Sequence, residues 1–142
     1  MKLISADFKD GGDLPEKFTC QGEGISPPLQ WSEVPEGTKS LALILSDPDA
    51  PSGNFIHWQI INIPVKTTGI DQNQIIGDEL PNATGASSYV PPCPPSGKHR
   101  YIFSLYALNI DHLDPASVGD FNSVIQPHII EKAQLTGLFQ KD

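Results

Sequence analysis

The stretch DPDAPSGNFIHW, residues 47–58, joins two apolar segments that both have the composition of buried strands. Side chains alternate along a strand, so Asp47 falls on the same face as Leu41, Leu43 and Leu45. The prolines end this first strand and turn the chain, and His57 lies near the start of the second. This pattern predicts a carboxylate and an imidazole at the lip of a pocket, although an ordinary proline-rich hairpin turn has the same local appearance.

The composition predicts one soluble domain spanning residues 1–142. A hydrophobic content of 38% suits a single core. The chain has no apolar run of about 18 residues, which a membrane helix needs. Charged residues follow Met1 closely and leave no room for an apolar signal segment of roughly 7–15 residues, so we expect a cytoplasmic protein without integral membrane association.

The charge of the chain bears on its partners. Its net charge of −8 argues against a nucleic-acid partner, because a phosphate backbone requires a basic surface. A small anion held in a local site is still compatible with this charge. An exposed apolar edge leaves a homodimer open.

Cys20 and Cys93 are the two cysteines of the chain. Two cysteines do not form a disulfide framework, and neither has the CxxC spacing of a structural zinc site. We therefore expect two free thiols in a reducing compartment, with Cys20 packed in the interior and Cys93 at the rim of the pocket.

Fourteen prolines and twelve glycines separate short runs of valine, isoleucine, leucine and tyrosine. This pattern favours a mainly β protein, an antiparallel sandwich or a barrel, with one or two short peripheral helices. Apolar character on both faces makes residues 99–108 the predicted central strand. The other predicted strands are residues 3–8, 41–46, 55–63, 135–140 and a segment anchored in the core by Trp31.

Three further segments have weaker patterns. Residues 14–20 contain Pro15 and are expected to be an extended edge element. Residues 66–84 are polar and are expected to be a long surface connection. Residues 124–133 have helical spacing that Pro127 interrupts, which predicts a short or bent helix. In the strand that follows, Gly137 is expected to tolerate a bulge.

Three polar clusters are candidates for chemistry, and the mouths of sandwich strands would bring them together. They are Asp47 and Asp49 with His57, the run 99–101, and the proline-rich loop around Cys93. Two imidazoles, a tyrosine hydroxyl and a main-chain N–H suit a small anion. Asp47 would fix the tautomer of a histidine. Arg100 points to the opposite face of its strand, which indicates a structural ion pair.

Enzymatic alternatives use the same residues. Asp47, His57 and His99 formally match a two-histidine, one-carboxylate metal set, and an Asp–His pair near Ser52 suggests a hydrolase. The chain lacks the G-x-S-x-G elbow and the histidine spacing of a helical zinc site. These absences count against both enzymes, and we expect neither a metal nor a cofactor.

The motifs as a whole resemble a known family. D-P-D-A-P at 47–51, the strand that opens on His57, and P-P-S-G-K-H-R-Y at 94–101 are similar to the phosphatidylethanolamine-binding protein family. F-T-C-Q-G-E-G-I-S-P-P-L-Q-W at 18–31 and A-Q-L-T-G-L-F at 133–139 resemble its bacterial and archaeal branch. The resemblance covers the chain from about residue 4 to residue 140.

The resemblance implies an antiparallel β-sandwich with a cavity for phosphate-like anions, including the phosphoryl group of phosphatidylethanolamine. It also implies binding rather than turnover, so we expect a non-enzymatic protein. Related chains often carry glycine before the pocket prolines, where this chain has Pro91 and Cys93. Eukaryotic relatives also modulate kinases and transcription complexes, which leaves a protein partner open. Carried over by motif, the ligand-binding residues are Asp47, Pro51, His57, Cys93, Pro94, Pro95, His99 and Tyr101.

Overall fold

A computed structural model describes residues 1–117 and 119–142. The described residues form nine strands, one α-helix and three short 3-10 turns. The strands are β1 (Lys2–Ile4), β2 (Gly12–Asp13), β3 (Leu29–Ser32), β4 (Ser40–Asp47), β5 (Phe55–Pro64), β6 (Gly69–Ile70), β7 (Asp78–Leu80), β8 (Lys98–Leu108) and β9 (Ile129–Gln140). The helix α1 is Phe121–Ile125, and the turns are Glu16–Phe18, Pro115–Ser117 and Gln126–His128.

The strands form two sheets within the described part of the chain. The larger sheet has the order β2-β9-β8-β4-β5-β7, and the smaller has the order β1-β3-β6. The long strands pair antiparallel, whereas β2 pairs parallel with β9. The predicted fold class, a mainly β antiparallel sandwich with a short peripheral helix, is confirmed.

Apolar side chains lie on both faces of the larger sheet. One face packs against the smaller sheet, where Trp31 is only 4% exposed and acts as the predicted anchor. The helix α1 covers the other face through Phe121 and Ile125. Burial on both faces explains why β4 and residues 101–108 of β8 are almost continuously apolar and why β8 is central, as predicted.

The edge element predicted over residues 14–20 is wrong. Glu16–Phe18 form a 3-10 turn in which the Phe18 amide donates to the Pro15 carbonyl at 3.1 Å. Proline at φ −58° is compatible with an extended segment and also with the start of a turn, so its presence did not separate the two. Burial of the Phe18 side chain favours the turn.

The predicted helix over residues 124–133 is also wrong in its extent. The helix α1 ends at Ile125, Pro127 lies in a 3-10 turn, and β9 begins at Ile129. Proline ends the helix because it has no N–H and its ring clashes with the preceding turn. The final strand is therefore longer than residues 135–140, and it pairs with β8 along almost its whole length.

Smaller differences concern the other predicted segments. The first strand is Lys2–Ile4 rather than residues 3–8, and the 66–84 connection contains β6 and β7. No bulge occurs at Gly137, which pairs directly with Tyr101. A Cβ at Gly137 would lie 2.6 Å from Leu14 Cγ, so this glycine is required by the close approach of Leu14.

Candidate functional site

A cavity of about 270 Å³ lies where β4, β5 and β8 meet the turn 48–54 and the loop 90–95. All eight residues predicted for the site line this cavity: Asp47, Pro51, His57, Cys93, Pro94, Pro95, His99 and Tyr101. The structure therefore brings together the three polar clusters that are far apart in the sequence. The cavity is also lined by Ala50, Ser52, Phe55, Val90 and Pro91, which the predicted site did not include.

A β-bulge in β5 directs His57 into the cavity. Leu45 of β4 pairs with Trp58, and the next residue, Ser46, pairs with Ile56, so that His57 is the extra residue of β5. A bulge places two consecutive side chains on one face, where regular alternation would separate them. Here His57 and Trp58 both turn toward the face covered by the smaller sheet.

Asp47 and His99 form a buried pair in the cavity wall. His99 Nδ1 donates to Asp47 Oδ2 at 2.7 Å, and the two residues are 7% and 3% exposed. The other carboxylate oxygen, Oδ1, accepts from the Asp49 amide at 2.8 Å. Because His99 Nδ1 is committed to the carboxylate, Nε2 is the ring nitrogen left for a ligand.

His57 is oriented by the loop above it. Its Nδ1 donates to the Val90 carbonyl at 2.7 Å, and the Val90 amide donates to the His57 carbonyl at 3.0 Å. A carbonyl only accepts, so the proton of the neutral ring lies on Nδ1 and Nε2 is left for a ligand. Burial is the main influence on this ring, and it lowers the pKa of His57 below its usual value.

Tyr101 contributes a buried hydroxyl. The side chain is 0% exposed, and its hydroxyl has no hydrogen-bond partner among the described residues. The ring packs edge-on against His57, with centroids 5.4 Å apart. Burial, followed by the charge of Asp47, raises the pKa of Tyr101, so the hydroxyl keeps its proton at neutral pH. A buried donor without a partner is costly unless a ligand accepts from it.

Arg100 lies outside the cavity and forms the predicted structural ion pair. Its guanidinium binds both carboxylate oxygens of Asp49, at 2.8 and 3.0 Å, and the Arg100 amide donates to Asp49 Oδ2 at 2.9 Å. These bonds lower the pKa of Asp49 to about 2. Asp49 therefore ties the turn 48–54 to the start of β8.

The prediction of two free thiols is wrong. Cys20 and Cys93 form a disulfide whose Cα atoms are 5.4 Å apart, and both residues are exposed. The 3-10 turn Glu16–Phe18 brings Cys20 to the loop 90–95, and this contact between distant segments has no signal in the sequence. The disulfide also removes the support that free thiols gave to a reducing compartment.

The loop 90–95 has few backbone donors. Four of its six residues are prolines, so only Val90 and Cys93 carry an N–H. The Val90 amide is used by His57. Val90 itself was missed from the sequence, because its role depends on its main-chain carbonyl and no side-chain pattern marks it.

The described residues form neither a cluster of metal ligands nor a membrane-spanning helix. Within residues 1–117 and 119–142, no three His, Cys, Asp or Glu side chains are arranged to hold a metal ion. The Asp47 carboxylate accepts a hydrogen bond from His99 instead. In the same residues, no helix has the length and apolar character to cross a membrane.

The chain was then compared with known proteins. The sequence model of the family "Phosphatidylethanolamine-binding protein" matches residues 4–140. The chain belongs to this family. It is similar to the UPF0098 protein of Methanothermobacter thermautotrophicus, with 45% identity over 150 residues that cover 99% of each chain. It is also similar to the crystal structure of a phosphatidylethanolamine-binding protein homologue from Chlamydia trachomatis, with a TM-score of 0.93 and 39% identity over 99% of this chain and 97% of the other.

A third relative bears on location. The Mycobacterium tuberculosis protein LppC, which is named a lipoprotein, is 36% identical over 146 residues that cover 99% of this chain and 72% of LppC. The family therefore includes a member named a lipoprotein. Together with the disulfide, this leaves the cytoplasmic location as a prediction.

Proposed function

We propose that the cavity binds a small phosphate-like anion, inorganic phosphate or the phosphoryl group of a headgroup, and that the protein acts by binding. The observation that carries this proposal is the convergence of His57, His99 and Tyr101 on one cavity. Each imidazole spends Nδ1 on the protein and keeps Nε2 for a ligand, and the tyrosine hydroxyl has no partner among the described residues. The tyrosine hydroxyl donates as it stands, and each Nε2 becomes a donor once its ring is protonated, so these groups from β5 and β8 suit the oxygens of a tetrahedral anion.

The charge of Asp47 makes anion binding depend on protonation of the cavity histidines. Asp47 places a carboxylate in the cavity wall, and this carboxylate opposes an anion directly. A protonated imidazole offsets this repulsion and donates a charge-assisted hydrogen bond from Nε2. Because burial lowers the pKa of His57, the free ring is neutral near pH 7, so anion binding should be coupled to proton uptake there.

The other walls suit a ligand with a carbon substituent on its phosphate. Phe55, Val90 and Pro94 give the cavity apolar sides beside the polar floor formed by Asp47 and His99. Proline residues also limit the motion of the loop, so that little conformational entropy is lost when a ligand binds.

The side chains that could act as nucleophiles in the cavity support binding without turnover. The thiol that lines the cavity, Cys93, is consumed in the disulfide. The hydrogen bonds of the described residues include none between Ser52 and either imidazole, so the Asp47–His99 pair has no hydroxyl positioned for attack.

Calorimetry tests the proposal. Phosphate and phosphoethanolamine should bind to the wild-type protein, and His57→Gln and His99→Gln should each weaken binding about tenfold, equivalent to about 1.4 kcal/mol. His128→Gln is the matched control, because His128 bonds to Asn109 outside the cavity. Wild-type affinity in both cavity variants would place the anion elsewhere, and steady product formation from a phosphate ester would contradict a purely binding role.

A further inference from the structure

We propose that the Cys20–Cys93 disulfide is a site of thiol–disulfide exchange with an external dithiol, and that its reduction lowers the affinity of the cavity for phosphate-like anions. The second part rests on the proposed function. The proposal joins two observations: the disulfide is exposed to solvent, and one of its cysteines forms part of the cavity wall.

Accessibility supports the exchange. Both cysteines are exposed, and they lie at the surface between the turn Glu16–Phe18 and the loop 90–95. Exchange begins when a thiolate attacks one sulfur of the disulfide, so an exposed bond is open to attack where a buried one is protected. Exposed disulfides are accordingly the labile and regulatory ones among proteins.

The disulfide is the covalent tie of a loop that has few other ties. On this side the loop is held by a hydrogen bond from the Cys20 amide to the Pro92 carbonyl at 3.1 Å, and the adjoining Tyr89 hydroxyl donates to the Phe18 carbonyl at 2.7 Å. Prolines 91, 92, 94 and 95 have no N–H, so the loop cannot replace the tie with backbone donors.

The same loop orients His57. Val90 is three residues from Cys93, and its carbonyl accepts from His57 Nδ1 while its amide donates to the His57 carbonyl. Reduction frees the Cys93 side of the loop, and this weakens both bonds. The ring then loses the acceptor that fixes Nε2 toward the cavity, and Pro94 and Pro95 are no longer held as walls.

The exchange balances as an ordinary two-electron reduction. A thiolate of the external dithiol attacks one cysteine sulfur, the S–S bond breaks, and a mixed disulfide forms while the other cysteine leaves as a thiolate and takes up a proton. The second thiol of the partner then attacks the mixed disulfide. Cys20 and Cys93 end as thiols, the partner ends as a disulfide, and two electrons and two protons have passed to this protein.

The experiment compares the oxidised and reduced wild-type protein, with dithiothreitol as the dithiol. Thiol titration of the folded protein should find no free thiols before reduction and two afterwards. The Kd of inorganic phosphate, measured by calorimetry, should rise about tenfold or more on reduction, equivalent to about 1.4 kcal/mol. Hydrogen exchange of the Val90 amide should become faster while circular dichroism stays unchanged.

Two variants separate the effect of the disulfide bond from the effect of the Cys93 sulfur atom in the cavity wall. Cys93 lines the cavity and Cys20 does not line it, so Cys20→Ala breaks the tie without changing the cavity wall. Cys20→Ala and Cys93→Ala should weaken phosphate binding equally, and both should become indifferent to dithiothreitol. Weakening in Cys93→Ala alone would show a contact of the sulfur atom and would overturn the switch.

Each remaining outcome overturns either the proposed function or the exchange site. If the oxidised protein binds no phosphate, the proposed function fails, and the exchange site is then judged from thiol titration and Val90 exchange alone. A disulfide that resists dithiothreitol in the folded protein, or an unchanged Val90 amide after reduction, overturns the exchange site. Loss of the circular dichroism signal on reduction would mean that the disulfide stabilises the whole fold, and this too overturns a local switch. If Cys20→Ala does not fold, the reduced wild type replaces it in the comparison with Cys93→Ala, because reduction also breaks the tie and keeps the Cys93 sulfur in the cavity wall.

Discussion

Asp49 and Arg100 form a bidentate ion pair immediately beside the cavity. A second pair lies in the cavity wall, formed by Asp47, two residues before Asp49, and His99, one residue before Arg100. The inner pair is buried and the outer pair is largely exposed. The outer pair therefore braces the turn 48–54 from the solvent side, while the inner pair sets the orientation of a cavity imidazole.

The outer pair should be visible in a carboxyl titration by NMR. The Arg100 side chain lowers the pKa of Asp49 to about 2, so Asp49 should stay ionised through the pH range in which an ordinary aspartate, with a pKa near 3.8, takes up its proton. The stabilising effect of the pair is present above that range and is lost as pH falls toward about 2. In Arg100→Gln the Asp49 titration should return toward the ordinary range, and an unchanged titration would show that the Arg100 side chain is not the cause.

Anion affinity should rise as pH falls, because anion binding protonates His57. Calorimetry with sulfate isolates this effect, since sulfate keeps its charge while phosphate titrates near neutrality. Between about pH 8 and about pH 5.5 the affinity should increase by at most about tenfold per pH unit for each proton taken up. The rise should level off below the lowered pKa of the free ring, where the imidazole already carries its proton.

His57→Gln is the matched variant for this experiment. Glutamine keeps a donor of similar reach that does not titrate, so the pH dependence should become shallower in the variant. An equal slope in both proteins would assign the proton to another group.

Asp47→Asn should weaken phosphate binding even though it removes a negative charge from the cavity. The carboxylate holds His99 through Nδ1 and thereby keeps Nε2 for the ligand, whereas an amide offers the ring either a donor or an acceptor and leaves the tautomer undefined. We expect a loss of about tenfold, or about 1.4 kcal/mol, and a change in the NMR signals of the His99 ring nitrogens. Asp49→Asn is the control, since the hydrogen bonds of the Asp49 side chain go to Arg100 and not to the His99 ring. Tighter binding in Asp47→Asn would mean that charge repulsion outweighs orientation.

The free energy of unfolding should fall on loss of the Tyr89 hydroxyl but not on loss of the Tyr101 hydroxyl. The Tyr101 hydroxyl has no partner in the described part of the chain, so Tyr101→Phe should leave the free energy of unfolding unchanged or raise it by up to about 1 kcal/mol. The Tyr89 hydroxyl donates to the Phe18 carbonyl, so Tyr89→Phe should lower that free energy by about 1 kcal/mol. Urea unfolding measures both changes. Calorimetry should show that Tyr101→Phe nevertheless binds phosphate more weakly, and destabilisation by Tyr101→Phe would indicate a structural role for its hydroxyl.

The sequence predicted the parts of the site that consist of polar side chains at the ends of apolar strands. Alternation along residues 41–47 placed Asp47 on the core face, and the two histidines and Tyr101 were found because strand mouths gather in a sandwich. The fold class followed from proline and glycine spacing.

The parts that were missed depend on main-chain geometry or on contacts between distant segments. The role of Val90 lies in its carbonyl, which any residue would offer. The Cys20–Cys93 disulfide depends on a 3-10 turn that brings two segments together across a sequence separation of 73 residues. The C-terminal helix was extended too far because Ile129 and its neighbours fit a helical period as well as a strand, and pairing with β8 decides between the two.

The bulge at His57 makes the site depend on a count of residues as well as on their identity. Deleting Ile56 would restore regular alternation and turn the His57 imidazole away from Asp47, although every side chain that lines the cavity would be kept. A change of length between Phe55 and Trp58 should therefore abolish the site, whereas a substitution of Ile56, whose side chain does not line the cavity, should be tolerated.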